Sequence, residues 1–237
     1  MSIFHPVTVT CSACKAQSQF ERCASVNADR RPELRAAILA GAFQAETCAG
    51  CGAAMRLPPH FTYIEIGRKT WIAAEPASVL DSWPDVEDEI SEVYSRSFGE
   101  EAPASGQELA EGLQARLVFG WPAFREKLIC ADLGLDDVTL ELLKMMIMRD
   151  VDKPPMADET ELRLVGGDAE NLEFVWFVTL SEQRLVSLTV PREIYEEIAA
   201  EPEPWAVARG NFEDVFLVDL RRLIAGPELD EGDGLAA

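Results

Sequence analysis

VTVTCSACKAQSQFERCASVNADRRPELRAAILAGAFQAETCAGCG, residues 7–52, is the stretch that decides the fold. It holds two Cys-x-x-Cys pairs, Cys11/Cys14 and Cys48/Cys51. Four thiolates complete a tetrahedral zinc site and leave no position for water or substrate. The spacing therefore predicts a structural zinc ion (Zn2+) held by Cys11, Cys14, Cys48 and Cys51 in a zinc-ribbon-like antiparallel sheet. In such a knuckle, backbone N–H groups of the turn donate to the sulfurs. The second pair, CAGCG, has Gly52 where a left-handed backbone is wanted. The first, CSACK, has Lys15 there, a weaker match. Iron–sulfur ligation and a redox dithiol are the competing readings. Neither pair precedes a thioredoxin-like strand–helix unit. Four buried thiols without metal are disfavoured, because a small strand-rich module has little core of its own and metal binding supplies folding energy.

Outward from the cysteines, VTVT reads as a strand entering the first knuckle and residues 17–26 as a strand leaving it. Pro32 suits the first helical position, Leu34, Ile38 and Leu39 make an apolar stripe, and Gly41 is a stop, so a helix is inserted between the knuckles. Residues 42–47, 53–57, 61–66 and 70–75 read as strands. After Pro76 the pattern turns helical: Trp83, Val86, Ile90, Val93 and Tyr94 share one face. Ser105 with Glu108 forms a capping box for a helix carrying Leu109, Leu113 and Leu117. Pro122 opens a third helix, with Phe124, Leu128 and Ile129 inward, and Asp136 caps a fourth, with Leu140, Leu143 and Ile147 inward. Residues 161–165, 172–180 and 184–190 alternate as an antiparallel meander turning at Gly166-Gly167 and at 181–183. A short helix follows from Pro191 to Ala200, and residues 215–224 suit either strand or helix. The expected class is α+β. The expected division is a zinc-ribbon-like module (1–76), a helical segment packing on it (77–157), a meander plus helix (158–226) and a disordered acidic tail (227–237).

The chain has 237 residues, enough for a real core, and a net charge of −21. Residues 1–75 hold eight of the 21 Lys/Arg and six of the 42 Asp/Glu, so residues 76–237 hold the other 13 and 36. The balance after the cysteine module is therefore −23. Such a surface repels nucleic acid and anionic membranes at long range. Its plain reading, the favoured one, is a solvated surface; the sharper one is an acidic face matched to a basic partner through salt-sensitive contacts. No apolar run approaches the roughly 18 residues of a membrane helix. MSIFHPVTVT has neither the basic nor the apolar region of a signal peptide, so the cytoplasm is expected. Six cysteines there argue for metal or free thiols.

Other candidate chemistry is thin. Cys23 and Cys130 read as buried small hydrophobes. His5 and His60 read as surface residues, His60 being the better placed to hydrogen-bond a ligand. Asp136-Asp137 with Glu141 lacks the glycine turn and spacing of a calcium loop and reads as a helix cap with a solvated turn. Met145, Met146 and Met148 fit a methionine-rich core helix, and Trp121, Trp176 and Trp205 fit core contacts. No phosphate loop, nucleophile elbow or His-based pair is present.

The knuckles CSAC and CAGC and the segment SVNADRRPELRAAILAGAF (25–43) resemble the CpXC family of bacteria and archaea, with its Asn, its proline–acid–leucine and its glycine before phenylalanine. LVFGWPAFREKLICADLGLDDVTLELLK (117–144) is similar too, best at Glu126-Lys127 and at Gly134 to Asp137. The likeness covers most of residues 7–150. Where the family usually has proline after the first cysteine, this chain has Ser12 and Ala49, which loosens the knuckles and removes no ligand. The resemblance implies the four cysteines as metal ligands and brings no reaction or partner. The function expected is a non-enzymatic protein-interaction or regulatory scaffold that binds a partner protein through its acidic surface. Nucleic-acid binding through the ribbon, using Arg30, Arg31, Arg35 and Arg68-Lys69, is the alternative. An enzyme with an undetected carboxylate site is the third.

Overall fold

The computed structural model describes residues 2–150 and 159–224. The VTVT alternation closes β1 (Ile3–Thr10), which pairs antiparallel with β2 (Gln17–Asn27), Thr10 facing Gln17 across the first knuckle. Pro32 starts α1 (Pro32–Leu39). The second knuckle joins the short strands β3 (Ala45–Thr47) and β4 (Ala54–Arg56), which pair only with each other. β5 (Phe61–Glu65) and β6 (Thr70–Glu75) form the next hairpin. Then come α2 (Trp83–Phe98), α3 (Ala104–Ala110), β7 (Gln114–Phe119), α4 (Gly120–Asp132) and α5 (Asp137–Asp150). The meander is β8 (Thr160–Gly167), β9 (Asn171–Val178) and β10 (Gln183–Pro191), followed by α6 (Arg192–Ala200), α7 (Ala206–Gly210) and α8 (Arg221–Ile224).

The fold is α+β, as expected. Its main sheet has the order β1-β2-β5-β6-β7 and is mixed, because β2 runs parallel to β5 and β6 parallel to β7. Each parallel step needs a helical crossover, and α1 and then α2–α3 supply them. Both faces are therefore covered, which is why β6 (TWIAAE) is apolar almost throughout. Ile72, Ala74 and Val118 pack with Trp121, Phe124 and Leu128 of α4. Trp71, Ala73, Leu117 and Phe119 face the other way, onto Leu80, Trp83 and Ile90 at α2. A second sheet, β10-β9-β8, buries Leu162, Phe174 and Trp176 against Leu140 and Leu143 of α5 and Ile198 of α6.

Two expectations fail here. The helix placed over Leu109, Leu113 and Leu117 ends at Ala110, and Ser105 makes no capping bond. Gly112, at φ 75°, turns the chain into β7, where Leu117 is fully buried while Leu109 stays exposed. Sheet completion beside β6 overrides the helical spacing of the leucines. The turn placed at Gly166-Gly167 lies just beyond them, where Asp168 accepts the N–H groups of Glu170 and Asn171. The ambiguous segment is part extended and part helix: Phe216 O accepts Leu117 N–H at 2.8 Å, and α8 follows. The expected tail at 227–237 lies outside the described residues.

The contact between the two sheets is charged. Asp136 caps α5 through Thr139 N–H, as expected, but Asp137 and Glu141 do not face solvent. Asp137 accepts Lys127 Nζ at 2.8 Å and Arg116 Nε at 2.7 Å. Lys144 lies 3.0 Å from Glu126 and 2.7 Å from Glu141. Arg163 of β8 pairs with Glu126, Glu161 and Asp219 at 2.7–3.1 Å. Burial opposes ionisation of Glu126, yet Lys144, Arg163 and Lys127 outweigh it and hold its pKa below the usual carboxylate range. Asp137 and Asp219 are held low in the same way by Lys127 and by Arg163. A depressed carboxylate stabilises above its unfolded pKa, so this contribution is complete above about pH 5, begins to fall near about pH 4 and is lost only as pH drops through the depressed values below it. Glu126→Ala would take one carboxylate from both Lys144, which keeps Glu141, and Arg163, which keeps Glu161 and Asp219, and would strand the Leu164 N–H that Glu126 accepts at 2.7 Å. Urea unfolding at pH 7 should show a loss of about 3–5 kcal/mol. A loss below about 1 kcal/mol would mean that the cluster rearranges around the gap.

Candidate metal centre

The two knuckles sit on different hairpins and face each other. Cys11 follows β1 as Cys48 follows β3. The same local bonds close both turns. Cys11 N–H donates to Ala16 O and Lys15 N–H to Cys11 O; Cys48 N–H donates to Ala53 O and Gly52 N–H to Cys48 O, all at 2.8–2.9 Å. Lys15 takes φ 63° and Gly52 φ 76°, so Lys15, the weaker match, adopts the same left-handed backbone as Gly52. Gly50 matters too, a point the spacing did not raise. A Cβ there would stand 3.2 Å from Ala16 Cβ and 3.4 Å from Cys14 Sγ, so a bare backbone lets the first knuckle come close.

The four sulfurs lie within 4.8 Å of one another. Cys11 Sγ is 3.8 Å from Cys51 Sγ, and Cys14 Sγ is 3.6 Å from Cys48 Sγ. A tetrahedron with metal–sulfur bonds of about 2.3 Å has edges of about 3.8 Å. A disulfide needs about 2.05 Å, so these are contacts across a ligand set rather than bonds. The first cysteine of each pair is buried and the second exposed. Backbone N–H groups of Gly50 and Cys51 aim at Cys48 Sγ and lower its pKa to about 6. Those of Cys14 and Ala13 lower Cys11 likewise. Cys14 is pushed up to about 12: the Ala16 N–H favours its thiolate, but Cys51, Cys48, burial and Cys11 together outweigh it. Four thiols this close resist ionising together, and a cation among them removes that repulsion. The cluster can hold a metal ion.

The hairpin carrying Cys48 and Cys51 is pinned at both ends. Gln44 spans to β2, its side chain accepting Cys23 N–H at 3.0 Å and donating to Glu21 O at 2.7 Å. Beyond β4, Leu57 O accepts Trp121 Nε1 at 3.0 Å, Arg56 lies over the Trp121 ring at 4.3 Å, and Glu182 of the β9–β10 turn pairs with Arg56 at 3.7 Å.

The remaining candidates lie elsewhere. Cys23 is buried in the main core, donates to Ser25 O, and has its thiol pushed up to about 11 by burial. Cys130 is buried beside α5, and burial raises its thiol strongly. His60 does not reach the sulfurs but pairs with Glu75 at 2.6 Å, and His5 is exposed on β1. Met145, Met146 and Met148 pack on the second core. Trp121 and Trp176 are buried, and Trp205 packs against that second core. Of the basic residues near α1, Arg31 pairs with Glu33, and Arg35 and Arg68 both pair with Glu65 and Asp132, whereas Arg30 and Lys69 are exposed and make no ion pair among the described residues, Lys69 donating to Glu111 O at 2.7 Å. A small cavity of about 40 Å³ is lined by Gln114, Arg116, Lys127, Cys130 and Asp137, with its cations already engaged by Asp137.

Lys15 and Gly52 share one backbone conformation, so exchanging their types should act in opposite directions. Lys15→Gly relieves a left-handed non-glycine residue and should stabilise the metal-loaded protein by about 0.5–1 kcal/mol. Gly52→Ala should cost about 1 kcal/mol. Denaturant unfolding with metal present checks both, and equal signs would refute the shared role.

Comparison with curated proteins and with solved structures yields no match. No helix among the described residues is long and apolar enough to cross a membrane. The family model described as CpXC protein matches residues 9–144, more than half of the chain, and takes in both knuckles, α4 and the part of α5 up to Lys144. The chain belongs to the CpXC family.

Proposed function

We propose that the protein is a non-enzymatic interaction or regulatory scaffold whose fold is closed by a structural zinc ion on Cys11, Cys14, Cys48 and Cys51, and that its acidic face binds a basic partner protein. The observation that carries the zinc assignment is the sulfur geometry: four thiols at tetrahedral spacing, with knuckle N–H groups aimed at them. Four protein ligands leave no open position at the ion, so its work is to hold the two hairpins together. Cys48→Ser should lower bound zinc well below one equivalent and destabilise the protein, as read by metal analysis and thermal unfolding. Full retention of zinc would show that the ligand set is wrong.

The acidic face supports the partner half of the reading. On α2, Asp85, Asp88, Glu89 and Glu92 fall at i, i+3, i+4 and i+7 and are exposed, opposite the buried Trp83 and Ile90. None of the four makes an ion pair among the described residues. An unneutralised stripe of this kind steers a basic surface and loses its pull at high salt. Pull-down from native lysate at low salt should recover a stoichiometric partner that high salt releases. The variant with Asp85, Asp88, Glu89 and Glu92 changed to their amides should recover much less. No stoichiometric partner at low salt would overturn this half of the proposal and leave the zinc half standing.

A further inference from the structure

After α7 the chain returns across the body as a strap, residues Phe212 to Leu223. Phe216 O accepts Leu117 N–H on the open edge of β7. The Phe216 ring packs with Tyr94 and Trp71, at centroid distances of 5.4 and 6.3 Å. Glu87 of α2 accepts the N–H groups of Phe216 and Leu217 at 2.9 and 2.7 Å and pairs with Arg222 at 2.7 Å. The strap then crosses the buried charges. Val218 O accepts Lys127 Nζ at 2.7 Å, Asp219 pairs with Arg163 at 2.7 Å, and Leu220 N–H donates to Glu141 Oε2 at 2.8 Å. Leu217, Val218 and Leu220 are buried.

The charges under the strap do not balance. Glu126, Asp137, Glu141, Glu161 and Asp219 face only Arg116, Lys127, Lys144 and Arg163. One negative charge is in excess where little water can screen it. Glu141 is the worst compensated. It faces Lys144 along α5, Glu126 and Lys127 on α4, Arg163 on β8 and Asp219 on the strap. Its Oε1 lies 2.7 Å from Lys144 Nζ but 4.0 Å from Lys127 Nζ, and it receives no aligned hydrogen bond. Arg163 is already shared among Glu126, Glu161 and Asp219.

We propose that the strap is a proton-controlled latch: the proton on Glu141 lets Leu220 and Asp219 sit against α5, and its loss loosens the strap and bares the β7 edge with the aromatic groove of Trp71 and Tyr94. Burial, with Glu126 and Asp219 adding to it, raises the Glu141 carboxyl to about 7 against the pull of Lys144 and Lys127. The sign follows. A raised carboxyl costs the closed state nothing below its ordinary pKa, and the cost grows as pH rises to about 7 and is full above it. Glu126, Asp137 and Asp219 are held low and stay ionised across that window. Glu161 is also raised by burial, and it is present in every protein compared below.

Amide hydrogen exchange in the full-length, zinc-loaded protein tests this, with rates corrected for their intrinsic pH dependence. Protection of the Leu217 and Leu220 amides is referred to that of β5 and β6, so that global unfolding cancels. Between pH 6 and pH 8 the wild-type ratio should fall about tenfold. Glu141→Gln keeps the acceptor for Leu220 N–H and should hold the ratio constant. The Glu141 carboxyl carbon shift in the wild-type protein should titrate with the same midpoint as the strap amides, which decides the matter even where the variant fails to fold. A constant wild-type ratio, an equal fall in Glu141→Gln, or separate midpoints would overturn the latch.

Discussion

The ion cluster carried by α4 and α5 is the constraint on which the rest of the molecule depends. α4 is covered by the main sheet and α5 by the meander, so Glu126, Lys127, Asp137, Glu141 and Lys144 cannot reach water. Bringing such groups out of water costs several kcal/mol per ion, and only dense mutual pairing offsets that. The pairing dictates position. Arg163 must come from β8 at the height of Glu126, and Arg116 from β7 at the height of Asp137. Apolar packing alone would let the two sheets slide over the helices, whereas the ion pairs hold them in one register.

The candidate metal centre stands at the start of α4. The hairpin bearing Cys48 and Cys51 delivers Leu57 O to the Trp121 indole and Arg56 to its ring. Trp121 lies in the first turn of α4, and Glu126 and Lys127 are in the following turns. Closure of the thiol cluster thus fixes the start of the helix whose later turns carry the charges. Glu182 ties the meander to the same place, since it accepts Trp121 N–H as well as pairing with Arg56. A metal ion held only by knuckle residues can in this way set the position of a sheet that begins more than a hundred residues later in the chain.

The knuckles, the inserted helix and the meander were legible because each depends on local rules: cysteine spacing, Pro32 at a helix start, and alternation. The left-handed Lys15 was not, since residue type favours glycine at such a position and only the bonds that close the turn, Cys11 N–H to Ala16 O and Lys15 N–H to Cys11 O, hold a lysine there. The buried charges were missed for a different reason. Periodicity assigns charged residues to solvent, and Asp137, Glu141 and Lys144 look like an exposed face until Glu126, Lys127 and Arg163 arrive from elsewhere. One signal was available: Glu141 and Lys144 lie among Leu140, Leu142 and Leu143, so no polar face of α5 is wide enough to be a surface. β7 was hidden because leucines at helical spacing ran into it, and only β6 as a neighbour makes the strand.

The acidic balance after residue 75 is not made by the buried cluster. Among the residues from 76 on whose side chains are described there are 12 Lys/Arg and 29 Asp/Glu, and removing the four cations and five carboxylates of the cluster leaves eight and 24, a balance of −16 against −17. Most of the field of the described residues therefore lies outside that cluster, where salt screens it. α2 links that surface to the interior. Its outer stripe carries Asp85, Asp88, Glu89 and Glu92, while Glu87 turns inward to hold the strap. A basic partner of the proposed kind, drawn to the stripe, would arrive beside the carboxylate that accepts from Phe216 and Leu217 and pairs with Arg222. Competition for Glu87 would act on the strap from outside, as the Glu141 proton acts on it from inside.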